Sequence, residues 1–248
     1  AEPQPKASPQ PPVDAPSATV PTPPSTIKDA GPTGAGADAT VSQPAGPASF
    51  DDDLAFLSAR GKVQVLTDAD GGKVALSALY QGRVMTSGVA PSGRSLGWIN
   101  RAFIEGGKTG TQFDNFGGED RFWLGPEGGQ FGLYFPPGKD FTFDLWQTPH
   151  ALQEGAWDIA EEKPDHVTFK KRMTVTSWSK VDFTIDVERT AKLLTRDDAK
   201  KVLGLAAAPA KGVGFVAYET KNKIVNAGKD PWKKDKGLVS IWVLAMFA

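Results

Sequence analysis

The sequence predicts a mostly-β protein: an antiparallel β-sandwich with a few short helices, behind an N-terminal leader that does not fold. Three observations carry that expectation. Apolar and polar residues alternate in short runs, most cleanly over residues 181–191. There Val181, Phe183, Ile185 and Val187 share one side, and Asp182, Thr184, Asp186 and Glu188 the other. Helical signals are confined to two short stretches. The strand–helix–strand alternation that builds a parallel sheet does not occur.

Residues 1–48 hold twelve of the 20 prolines, no aromatic residue, and nothing more apolar than Val13, Val20, Ile27 and Val41. Such a stretch cannot bury enough apolar surface to offset the entropy of ordering its backbone, roughly 1–2 kcal/mol per residue. It reads as a disordered tether, with residues 49–248 as one β-sandwich domain. The chain opens Ala-Glu-Pro without an initiator methionine, as after removal of a signal peptide. A Pro/Ala/Ser/Thr-rich tether suits a protein held off a membrane or wall, so the expected location is exported, periplasmic or cell-surface. An arbitrary boundary would look the same.

Within the domain, acids at 51–53, Arg60 and then Gly61 mark a short first helix. Val63 and Val65, then Val74 and Leu76, alternate around Asp70-Gly71-Gly72, a hairpin signal. A third strand follows over residues 82–87. Residues 93–138 are rich in glycine and aromatic side chains and poor in period, which predicts loops packed over a core or around a pocket. Short strands return at 157–160, 167–171, 174–178 and 181–191. Thr195 with Asp197 and Asp198, the late lysines and Gly204 mark a second helix. Strands near 212–225 and 238–247 close the chain. The last is apolar enough to predict a fully buried strand without a polar cap, hence a natural protein that continues beyond Ala248 and a sandwich incomplete at its C-terminus.

Charge and composition exclude several classes. The formal net charge is −1 and there is no cysteine. Near-neutrality argues against a nucleic-acid partner. The lysines at 229, 233, 234 and 236 are interrupted by Asp230 and Asp235, and read as a solvated loop. Residues 238–248 are far too short to cross a membrane, which takes about 20 apolar residues. His150 and His166 make a poor zinc set without cysteine, so no metal is expected. Gly212-Val213-Gly214 lacks the third glycine and following helix of a dinucleotide site, and no Gly-x-Ser-x-Gly elbow occurs; no cofactor is expected.

Two stretches carry a resemblance. The run from Val74 through Tyr80-Gln81-Gly82-Arg83-Val84 to Ser87, and Asn115-Phe116-Gly117-Gly118-Glu119-Asp120-Arg121-Phe122-Trp123-Leu124-Gly125-Pro126-Glu127-Gly128-Gly129, resemble the galactose mutarotase-like (aldose 1-epimerase) superfamily, in particular bacterial members with a Gly-Gly…Arg-x-Trp-x-x-Pro-Glu segment. The resemblance implies a β-supersandwich and a sugar ligand. The enzymes of that superfamily interconvert anomers with a His acid and a Glu base. Neither His150 nor His166 lies in the corresponding motif, so whether the chain is an enzyme stays open.

The candidate ligand site is Asn115, Glu119, Asp120, Arg121, Trp123 and Glu127, expected on a Gly-rich loop. Planar polar groups suit pairs of sugar hydroxyls and an indole suits the C–H face of the ring. The competing reading pairs Arg121 with Glu119 or Glu127 and buries Trp123 in the core. Glu127 and His150 are the weak catalytic candidates. Trp98, Asn100 and Arg101 form a second cluster. Two functions follow: a carbohydrate-binding envelope protein that, in full-length form, has the option of acting on its sugar, or a non-enzymatic envelope module using the sandwich for protein–protein contact.

Overall fold

The computed structural model describes residues 48–90, 93–107, 109–110 and 112–248. The disorder expected for residues 1–48 falls, Ala48 aside, outside the described residues. The protein is mostly β, with antiparallel sheets and short helices. Among the described residues no helix is long and apolar enough to cross a membrane.

Helix α1 (Phe50–Ser58) starts one residue before its acids because the Ser49 hydroxyl accepts the Asp52 N–H at 3.1 Å. Strands β1 (Val63–Thr67) and β2 (Lys73–Ser77) form the expected hairpin. Its turn is held by Asp68, whose carboxylate accepts from the N–H groups of Asp70 (2.9 Å) and Gly72 (2.7 Å). Strand β3 (Arg83–Gly88) completes a sheet of order β1-β2-β3.

The stretch expected to be all loop contains helix α2 (Arg101–Gly106) and strand β4 (Arg121–Gly125). All five β4 residues are buried, so the strand shows none of the alternation by which a half-exposed strand is recognised. Val84 and Asp120 exchange backbone hydrogen bonds at 3.2 and 3.3 Å, joining β3 to the start of β4. Strand β9 (Ser240–Leu244) then pairs with β4.

The second sheet has the order β5-β6-β7-β8, formed by β5 (Asp158–Glu162), β6 (His166–Thr176), β7 (Asp182–Leu193) and β8 (Tyr218–Asn226). The separate strands expected at 167–171 and 174–178 are one. Register with β7 runs unbroken from His166 opposite Lys192 to Thr176 opposite Asp182, and Arg172 turns outward to pair with Asp186 at 2.6 Å. Helix α4 (Arg196–Leu203) follows, with Thr195 and Asp198 in a reciprocal capping box and Gly204 left-handed at φ +63°. The strand expected from 212 begins only at Tyr218.

One apolar core is shared by both groups of strands, with Leu66, Val74, Leu76, Val84, Phe122 and Leu124 meeting Val167, Phe169, Val175, Phe183, Ile185 and Val187. The arrangement is sandwich-like. β7 does present Phe183, Ile185 and Val187 inward, but the next inward residue is Arg189, fully buried. Its guanidinium donates to the carbonyls of Gly82 (2.9 Å) and Asp120 (2.9 Å), to Asn222 (2.7 Å) and to the Asp120 carboxylate. It thus ties β7 and β8 to the ends of β3 and β4.

The C-terminal strand corrects the expectation of full burial. β9 has β4 as its one strand neighbour among the described residues, and Trp242 and Val243 are 37% and 41% exposed. Its apolar run does not make it central, because among the described residues one edge is paired and both faces are only partly covered. Beyond it, Met246 donates to Gly118 and Ala248 to Leu96, while Met246 accepts from Trp98.

Candidate cavity beside the β4 aromatic column

The six expected site residues sit on or beside β4, and most serve the interior. Glu119 is 2% exposed and accepts from the Ser87 hydroxyl (2.9 Å), the Ser87 N–H and the Tyr218 hydroxyl (3.0 Å). Burial pushes its pKa up against those donors. Asp120 pairs with Arg189 and accepts from Thr220 at 2.9 Å. Trp123 is buried and donates its indole N–H to Glu127 at 3.0 Å. Asn115 is half-buried, and its side-chain oxygen has no hydrogen-bond partner among the described residues.

Arg121 pairs with neither Glu119 nor Glu127. It is 2% exposed, and all three guanidinium nitrogens lack a hydrogen-bond partner among the described residues. Its cation lies over the Trp123 ring, 4.1 Å from the centroid. Burial pulls its pKa down to about 10, opposed by the nearby Tyr134 and Asp114. The neighbouring Arg83 is fully buried and held well below its ordinary pKa by burial and by the Arg121 and Arg189 charges. It donates to the Gly117 carbonyl and, at 2.6 Å, to Gln81. Gly118, at φ +108°, leaves room for it: a Cβ there would lie 2.3 Å from Arg83 Cδ.

From Arg121 an aromatic column leads outward. Trp123 stacks on Tyr134 (5.4 Å, 25°), and Tyr134 stacks on Trp146 (5.3 Å, 20°). Tyr134 donates its hydroxyl to the Leu124 carbonyl at 2.8 Å. Tyr134, stacked on both faces and 1% exposed, borders a cavity of about 800 Å³. Four separate segments build the wall: Thr109, Gly110, Gln112 and Asp114; the Leu133–Pro137 stretch; residues of Gln147 through helix α3 (His150–Gln153) to Gly155; and Thr174–Thr176 at the end of β6. Backbone bonds lock them together, from Thr148 N–H to the Gln112 carbonyl and from Gln147 N–H to the Tyr134 carbonyl, each 2.8 Å. Asp114, 6% exposed, accepts from Gly110 N–H at 2.7 Å and donates its own N–H to the Gln153 side chain.

The wall is chemically mixed. Gln112, Gln147, Gln153, Thr148, Thr174 and Thr176 bring amides and hydroxyls, those of Thr174 and Thr176 bonded to Thr184 (2.9 Å) and Asp182 (2.6 Å), Asp114 and Glu154 bring carboxylates, and Phe135 a half-buried ring. Thr148 is 5% exposed and its hydroxyl has no partner among the described residues. That oxygen has essentially no accessible surface, so it is a cost of roughly 1–3 kcal/mol held inside the wall and not a group presented to the cavity. Of the sequence candidates, His150 lines this cavity, its Nδ1 2.8 Å from Glu154, while the β4 residues stand one layer behind it. Glu127 is not on the wall. The second cluster is structural: Asn100 caps α2 by accepting Phe103 N–H at 3.1 Å, and Arg101 pairs with buried Asp53 at 2.6 Å.

The wall residues escaped the sequence reading because they come from four segments with no shared motif. The available signal was the run Gln147-Thr148-Pro149-His150 and the polar pair Gln112 and Asp114 amid aromatic residues. Among the described residues no group of three or more His, Asp or Glu side chains converges as metal ligands.

No curated protein and no solved structure matches the chain. A family model covers residues 48–248, and the chain therefore belongs to a family of unknown function, DUF6786.

Proposed function

We propose that the protein binds carbohydrate in the cavity beside Tyr134, at the bacterial envelope. The observation that carries this is the wall itself: the exposed amide of Gln147 and carboxylate of Glu154 beside the half-buried ring of Phe135. Vicinal hydroxyls are matched by planar amides and carboxylates, and the C–H face of a pyranose by an aromatic ring. A volume of about 800 Å³ suits a small-molecule site. The resemblance to mutarotase-like proteins points to the same ligand class, and the proline-rich leader supports a tethered envelope protein. A reaction on the bound sugar, of the aldose-epimerase kind, is an option for a longer chain; the proposal is binding.

The test is a monosaccharide and glycan screen on the 248-residue protein beside Glu154→Ala and Gln147→Ala. Each variant removes a wall hydrogen bond and weakens binding roughly 2- to 12-fold. A second reading, a module for protein–protein contact, is favoured by the exposed Trp242 and Val243 on the edge strand β9. It predicts no sugar binding, and self-association or partner binding that is lost in Val243→Lys.

A further inference from the structure

A single pyranose fills only a fraction of a cavity of about 800 Å³, and aromatic rings continue beyond its mouth. Phe135, on the cavity wall, meets Phe141 edge-on at 5.0 Å and 83°. Phe141 in turn faces Trp178 at 5.2 Å and 31°. Trp178 follows directly on the β6 segment that forms another part of the wall. Phe141 is 48% and Phe143 75% exposed, and the Phe143 carbonyl accepts from the side chain of the wall residue Gln112 at 2.7 Å.

This row is held in place. The Trp178 indole donates to the Lys139 carbonyl at 2.6 Å, and its backbone bonds Gly132 (2.8 Å) and Gly138 (3.1 Å). Rings fixed before binding lose little entropy on binding. Between and beside them lie exposed Lys139, Asp140, Thr142 and Asp144. Alternating rings and polar side chains match a ligand that alternates C–H faces with hydroxyl edges. Two aspartates against one lysine oppose docking on an anionic membrane.

Resting on the carbohydrate reading above, we propose that the ligand is a chain of linked sugars, one unit in the cavity and the next stacked on a second subsite made by Phe141 and Trp178, with Phe143 at its rim.

The experiment titrates the 248-residue protein calorimetrically with cello-, malto- and chito-oligosaccharides from mono- to hexasaccharide, alongside Phe141→Ala, Phe143→Ala and Gln147→Ala. Thermal midpoints are measured in parallel to show that the variants fold. For a sugar that binds, affinity should rise with length. Phe141→Ala should lower oligosaccharide affinity roughly 2- to 12-fold, the scale of one aromatic contact, and leave monosaccharide affinity unchanged. Gln147→Ala should weaken both. Affinity independent of length, or unaffected by Phe141→Ala in a folded variant, would overturn the second subsite and leave the cavity reading standing. No binding by any sugar of the panel would overturn both. Binding to phosphatidylglycerol vesicles that is lost in Phe141→Ala would assign the rim to lipid and overturn the proposal.

Discussion

Arg189→Met removes the cation that joins β7 to the ends of β3 and β4 while keeping most of the side-chain volume. Arg189 is fully buried and makes four hydrogen bonds, one to the Asp120 carboxylate. Without it, that carboxylate, whose side chain is 14% exposed, keeps the Thr220 hydroxyl at 2.9 Å as its side-chain donor, and the Gly82 carbonyl and Asn222 lose theirs. Breaking one side of a buried ion pair costs about 3–5 kcal/mol, because the remaining charge is stranded. For a domain of this size each kcal/mol moves the midpoint by about 2–4 °C, so the expected fall is roughly 6–20 °C. Circular dichroism during heating, and urea titration at 25 °C, measure it. Arg189→Met combined with Asp120→Asn removes both charges and should lose less than the sum of the single variants. A fall of less than about 1 kcal/mol, or strict additivity, would refute the cross-link.

Three further expectations follow from the same interior. Gly118→Ala forces a Cβ into Arg83 at a left-handed φ and should destabilise by more than about 1 kcal/mol, read by urea denaturation; an unchanged midpoint removes the packing argument. Glu119 has its pKa raised by burial, so between the ordinary glutamate range and the raised value the unfolded chain binds fewer protons and stability falls as pH rises. Glu119→Gln should flatten that fall, and a parallel pair of stability–pH curves counts against it. Arg121→Met should leave stability unchanged or raised, because desolvation of an unpartnered guanidinium costs several kcal/mol against about 2 kcal/mol from the cation–π contact. A loss of more than about 2 kcal/mol would show that Trp123, Tyr134 and Asp114 outweigh the desolvation.

What could be read from the sequence was the local chemistry. The β1–β2 hairpin, the capping box of α4 and the alternation of β7 are written in neighbouring residues, and the structure has all three. β4 could not be read, since a strand buried on both faces has no period to show, and its Arg121 was expected on a Gly-rich loop. β6 looked like two strands because Lys171 interrupts its inward run of Val167, Phe169, Met173 and Val175, and long-range pairing with β7 carries the strand across it. The cavity was further out of reach. Thr148, Gln112 and Thr174 meet only after the chain has crossed both sheets, and no spacing along the sequence records that meeting.

The most direct measurement is a crystal structure of the protein with an oligosaccharide that binds in the calorimetric panel. The account predicts a pyranose packed on Phe135, a hydroxyl within hydrogen-bond distance of Gln147 or Glu154, and the next unit against Phe141. Sugar density elsewhere, on the outer face of β5–β8 or along the β9 edge, with the cavity holding none, would contradict it.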